Sequence, residues 1–135
     1  DTLSFSTPLK NRLLSLIQSE DYYLSYNAVH AIPKTNLNDS DFLETLFSTY
    51  LNTSDASTKN IIFRKLIAAP RLSENLLIKS RQSIPTMAPQ EISSLLKLYE
   101  KHHVKDSVSL GTVRSLVKHP NPYVVNLAKS FLSKQ

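Results

Sequence analysis

The 135-residue chain has no cysteine, no tryptophan, one methionine and a single glycine, Gly111. Without cysteine there is no disulfide, no thiolate nucleophile and no sulfur-ligated metal, and such usage favours a reducing compartment: cytosol, nucleus or mitochondrial matrix. With one glycine there is no dinucleotide-binding fingerprint, no phosphate-cradling P-loop and no G-x-S-x-G nucleophile elbow. No apolar run approaches the roughly 18 residues of a membrane span, and no secretory signal opens the sequence, so no membrane partner is expected. The two glycosylation sequons, at Asn38 and Asn52, are what chance gives in a chain rich in Asn and Ser. The start at Asp1 rather than Met leads us to expect a piece of a longer protein.

What the chain does have is apolar residues at helical spacing. Leu9, Leu13, Leu16 and Ile17 follow Thr7-Pro8, a cap and a proline at the first helical position. A second segment runs from Asp21 through Tyr22, Tyr26 and Val29 to Pro33, and a third opens at Asp41 with Glu44 as a capping box, carrying Phe42, Leu43, Leu46, Phe47, Tyr50 and Leu51. Ser57 opens a fourth over Ile61, Ile62 and Leu66, and Ser73 a fifth, through Leu76 and Leu77 to about Ser83. Ala88-Pro89 starts a sixth with Ile92, Leu95, Leu96 and Tyr99, Asp106 a seventh with Leu110, Val113 and Leu116, and Asn121-Pro122 an eighth with Val124, Leu127, Ala128 and Phe131. Starts near 8, 22, 41, 57, 73, 89, 107 and 121 make every second helix recur after about 32 to 35 residues. That period reads as four helical hairpins: an all-α chain of about eight helices, stacked as an α-solenoid-like superhelix in one domain over residues 1–135. An irregular bundle is the alternative architecture.

The net charge of +5 is unevenly placed. Residues 1–57 carry three basic against seven acidic side chains, a net of −4; residues 58–135 carry thirteen against four, a net of +9. A basic half of this kind is a surface for nucleic acid or for an acidic peptide, or simply a solvated helical exterior.

Reaction chemistry is harder to find. His102, His103 and Asp106 lie close together with His119 further on, but neighbouring histidines point to different faces of a helix, and no metal site is expected. No Ser/His/Asp spacing stands out, and Asp21, Asp41, Asp55 and Asp106 sit where helix capping accounts for them. Tyr22, Tyr23 and Tyr26 could stack nucleobases, but Tyr22 and Tyr26, four apart, read more simply as core residues with the hydroxyl at the surface. The chain is accordingly expected to be no enzyme, with no cofactor and no small-molecule substrate.

The run Val113-Arg114-Ser115-Leu116-Val117-Lys118-His119-Pro120-Asn121-Pro122-Tyr123-Val124-Val125-Asn126-Leu127-Ala128-Lys129 resembles the closing helices of the N-terminal domain of transcription elongation factor TFIIS and its relatives, V-x-x-L-x-K-H-x-N-x-x-V-x-x-L-A-K. The likeness covers about the last quarter of the chain, departs from the family where its threonine and glycine turn is shortened to Ser109-Leu110-Gly111, and is shared in outline by HEAT and armadillo repeats. It implies a scaffold in a nuclear transcription or messenger-RNA-processing assembly that docks short acidic, hydrophobic peptides, with Lys118, His119 and Lys129 flanking the docking surface and Val124 and Leu127 packing. A second likeness, of Tyr26-Asn27-Ala28-Val29 with Leu43 and Leu46-Phe47, and of Asn60-Ile61-Ile62 with Leu76 and Pro85, is to degenerate pentatricopeptide repeats without their usual glycine; it implies single-stranded RNA binding in mitochondria or plastids. The expectation carried forward is a non-enzymatic protein-interaction module whose basic C-terminal surface, Lys97, Lys101, Lys105, Arg114, Lys118, His119 and Lys129, meets an acidic motif in the nucleus. The alternative is an organellar, mitochondrial RNA-binding repeat.

Overall fold

The computed structural model describes residues 7–135, which form eight α-helices and, among the described residues, no strand. The helices are α1 (Thr7–Ile17), α2 (Tyr22–Ala31), α3 (Ser40–Asn52), α4 (Ala56–Ala68), α5 (Glu74–Ser83), α6 (Pro89–Lys101), α7 (Ser107–Ser115) and α8 (Pro122–Ser133). Three 3₁₀ turns, Lys34–Asn36, Ile84–Thr86 and Leu116–Lys118, were not visible in the sequence pattern. No described helix is long and apolar enough to cross a membrane. The chain divides into two compact units, Asp1–Leu76 and Leu77–Gln135, the division falling within α5.

In the first unit α1 packs on α2 and α3, while α4 packs on α2 and α3, so each helix touches its hairpin partner and its counterpart in the next hairpin. This is hairpin stacking as the period of the sequence predicts. The core joins Leu13 and Ile17 to Val29, Phe42, Leu46, Phe47, Ile62 and Leu66. Polar side chains close the helix ends. Ser25 donates to the Ile17 carbonyl at 2.6 Å, where α1 has run out of its own donors, and Lys65 reaches the carbonyls of His30 and Ile32 at 3.3 and 3.0 Å. Desolvation there lowers the Lys65 pKa.

Two helix starts differ from the sequence reading. Asp39, not Asp41, caps α3, accepting the Asp41 N–H at 2.8 Å; Asp41 instead shares Lys10 with Asp39, at 2.7 and 2.8 Å. Those two carboxylates, by hydrogen bond first, raise the Lys10 pKa. Helix α4 opens before Ser57, and Asp55, one of the aspartates read as capping, is its cap, holding both the N–H and the hydroxyl of Thr58. Thr7, expected as the cap of α1, is the first described residue and lies within that helix. The caps expected at Asp21, Asp106 and Asn121 are formed, and Ser73 Oγ accepts the Leu76 N–H of α5.

In the second unit α8 packs on α6 and α7, with Val124, Ala128 and Phe131 facing inward. Helix α6 ends in a Schellman motif: Val104 N–H bonds the Tyr99 carbonyl at 2.9 Å, His103 N–H bonds Glu100, and His103 takes φ 53°. An L-residue in that conformation is strained by about 1–2 kcal/mol, which glycine is not. His103→Gly is therefore expected to raise stability by about 0.5 kcal/mol or more, the added freedom of the unfolded chain taking back part of the gain. A urea melt checks this, and a fall in the midpoint contradicts it.

Gly111 presents the opposite case. It lies inside α7 without a positive φ, and a Cβ built there meets nothing within 4 Å. Gly111→Ala should stabilise by about 0.8–1 kcal/mol on helix propensity alone, read as a rise in melting temperature. Nothing in the fold requires glycine at this point.

Candidate functional site

The basic character concentrates in the second unit, where nine basic side chains stand against three acidic ones, a net of +6. All three carboxylates are engaged. Glu91 accepts the Ala88 N–H at 2.8 Å at the start of α6, and Glu100 pairs with Lys134 at 2.9 Å. Asp106 caps α7 through the Ser109 N–H at 2.9 Å and lies 3.7 Å from Arg81. Its partial burial alone would raise its pKa, but the Ser109 hydrogen bonds and Arg81 outweigh that and hold it below the ordinary carboxylate value. Lys97, Lys101, Lys105, Arg114, Lys118 and Lys129 are all exposed, and none forms an ion pair among the described residues.

The structure does not gather all of the expected site residues in one place. Lys118 and His119 join Arg81 around a groove of about 450 Å³, whose apolar surface comes from Ile84, Pro85 and Leu116. Lys97 borders a smaller groove of about 170 Å³ between α6 and α8, with Leu127, Phe131 and the Glu100–Lys134 pair. Lys101, Lys105, Arg114 and Lys129 line neither groove. Sequence reasoning missed Arg81, Ile84 and Pro85, because only the tertiary fold lays the Ile84–Thr86 turn beside α7; Arg81 is fixed there by a 2.9 Å bond to Ser109 Oγ.

His119 turns out to have a local structural task. Its Nδ1 accepts the Asn121 N–H at 3.0 Å, so the neutral ring carries its proton on Nε2, and the same turn is closed by Asn121 Oδ1 accepting the Tyr123 N–H at 2.8 Å. Leu127 is only half-buried and lines the α6–α8 groove, whereas the sequence pattern counts it with Val124 as a packing residue. The stripe Val124, Ala128, Phe131 points most directly inward, and Leu127 lies on its flank.

The tyrosines of α2 also differ from expectation. Tyr22 and Tyr23 are 49% and 76% exposed, the buried stripe being Ser25, Ala28 and Val29. Tyr22 Oη lies 2.7 Å from Ser54 Oγ, and Tyr26 stacks on His30. Glu20 and Asp21 precede them directly, which works against phosphate binding at that face. No group of three or more potential metal-binding side chains occurs among the described residues.

Neither protein-family models, curated proteins nor solved structures give a significant match to this chain. Function has to be argued from the site itself.

Proposed function

We propose that the chain is a non-enzymatic protein-interaction module whose basic unit docks an acidic linear motif of a partner, within a nuclear assembly for transcription or messenger-RNA processing. The observation that carries this reading is the set of six exposed cations left without a carboxylate, because Glu91, Glu100 and Asp106 are all engaged elsewhere. Charges of this kind attract and orient an acidic segment, while an apolar groove beside them supplies the anchor that charge alone does not. The nuclear setting is supported by the TFIIS-like pattern of the last hairpin.

The second reading, an organellar single-stranded-RNA-binding repeat, is favoured by the exposure of Tyr22 and Tyr23, which offers two rings for stacking. Their acidic neighbours count against it, and the net positive charge lies in the other unit, +6 against −1.

Fluorescence anisotropy with a labelled Asp/Glu-rich peptide carrying two phenylalanines tests the proposal. The double variant Lys101→Glu, Lys118→Glu should weaken binding about tenfold or more while leaving the melting temperature unchanged, since both side chains are exposed and unpaired. Equal affinity in the variant would refute the reading.

A further inference from the structure

A glycine in the middle of a helix is a local weakness, and Gly111 is the only glycine the chain has. No packing requirement accounts for it, because the space over its Cα is open. Helical spacing puts Val108, Gly111, Thr112 and Ser115 on one face of α7. That face is shallow: the Thr112 and Ser115 hydroxyls turn back to the Val108 and Gly111 carbonyls, and Val108 is 60% exposed with no partner side to pack on. Thr112 and Ser115 also form one wall of the 450 Å³ groove, whose floor is Ile84 and Leu116 and whose rim carries Lys118. Arg114, exposed, follows on the opposite edge of the same face.

We propose that this face of α7 and the groove beside it are the seat of the partner segment. Its backbone runs close over Gly111, a bulky apolar side chain enters the groove onto Ile84 and Leu116, and its carboxylates meet Lys118 and Arg114. This inference rests on the docking function proposed above and names its occupant: an acidic segment of another protein with an aromatic or large aliphatic anchor.

Charge complementarity selects this groove over the two others. The α6–α8 groove is smaller, and its lining sets the Glu100 carboxylate beside Lys97 and Lys134, so an acidic ligand would meet a like charge there. The groove of about 570 Å³ in the first unit is lined by Glu20 and by hydroxyl and amide side chains, which suits neither an acidic nor an apolar ligand. Among these three grooves, the α7 groove combines an apolar floor with the cations Arg81 and Lys118 and has no carboxylate in its lining.

The test titrates ¹⁵N-labelled protein with the Asp/Glu-rich phenylalanine peptide, alongside the same peptide with alanine for phenylalanine and a uridine oligonucleotide. Amide shifts should concentrate at Ile84 and at residues 108–119, and the alanine peptide should bind at least tenfold more weakly. Gly111→Leu, which fills the lane at an open surface position, should weaken the phenylalanine peptide at least tenfold without lowering the melting temperature; Gly111→Ala serves as the mild control and should bind nearly as well as the parent. Shifts centred on Ser93, Lys97 and Leu127, or unchanged affinity in Gly111→Leu, overturn the proposal. If the Lys101→Glu, Lys118→Glu variant still loses binding in that case, the docking function stands and only its placement on α7 falls. If charge reversal also has no effect, or the oligonucleotide binds more tightly than the peptide at these residues, both fall.

Discussion

Tyr99→Ala is expected to destabilise the second unit by about 3–5 kcal/mol, as the loss of a large buried ring does. Tyr99 is fully buried in α6 and is packed edge-on against Phe131 of α8, with centroids 6.5 Å apart. Its hydroxyl is hydrogen-bonded to Ser80 Oγ of α5. Ser80 also bonds the Leu77 carbonyl at 2.8 Å, which takes its only proton, so the phenol must be the donor to Ser80 Oγ. One side chain therefore ties three helices together. Tyr99→Phe keeps the ring and should cost only about 1 kcal/mol, whereas Ser80→Ala strands a buried phenol and should cost about 1–3 kcal/mol.

The same burial gives a pH signature. Desolvation, only partly offset by the Ser80 bond and Arg81, raises the Tyr99 pKa above its ordinary value of 10.0. The folded state thus keeps a proton that the unfolded state releases, so this contribution is fully present below about pH 10 and is lost as the pH rises through the folded value. Tyr99→Phe should flatten the alkaline fall in stability. An unchanged alkaline slope would contradict the account of this ring.

The second large effect is expected at Phe42→Ala, again about 3–5 kcal/mol, this time in the first unit. Phe42 is fully buried on α3, the helix that contributes six buried side chains and packs against both α1 and α4. A core helix bounded on two sides cannot collapse easily around the missing ring, which places the cost in the upper part of the range for truncations. Asp41→Ala on the adjacent exposed position is the contrast: it removes one of two carboxylates on Lys10 and should cost well under 1 kcal/mol. Thermal melts of the pair separate core packing from surface charge, and comparable shifts would be evidence against the packing described.

Helix existence was legible because it depends on local periodicity: all eight expected starts lie within about one residue of those observed. The caps were legible only where a single candidate was available. At α3 both Asp39 and Asp41 are good capping residues two positions apart, and nothing local separates them; both also meet Lys10, 31 positions from Asp41 in the chain. At α4 the helix opens from Asp55 rather than at Ser57, because one carboxylate satisfies both the N–H and the hydroxyl of Thr58. Leu127 shows the limit of a linear pattern, since a flank residue and a centre residue of the same stripe look alike until the neighbouring helix is in place. Tyr22 shows another, an aromatic at helical spacing whose stripe happens to face outward.

The candidate site was legible as charge but not as shape. The lysines of the second half announce a basic surface by count alone. Composition could not indicate that Glu91, Glu100 and Asp106 would be consumed by caps and by Lys134 and Arg81, leaving the other cations uncompensated. Nor could it bring Ile84 to Leu116, 32 positions apart, to form a groove.

The proposed docking of an acidic segment is tested most directly by the dependence of affinity on salt, measured by anisotropy for the phenylalanine-bearing acidic peptide and for single-stranded RNA oligonucleotides of several sequences. The peptide should show a shallow dependence, because apolar contact in the groove carries much of its binding. RNA should bind weakly and without regard to sequence, its affinity falling with a logarithmic slope of about 0.7 per phosphate neutralised. Submicromolar, sequence-selective RNA binding near physiological salt, lost on charge reversal at Lys101 and Lys118, would contradict the account and establish the RNA-binding reading in its place.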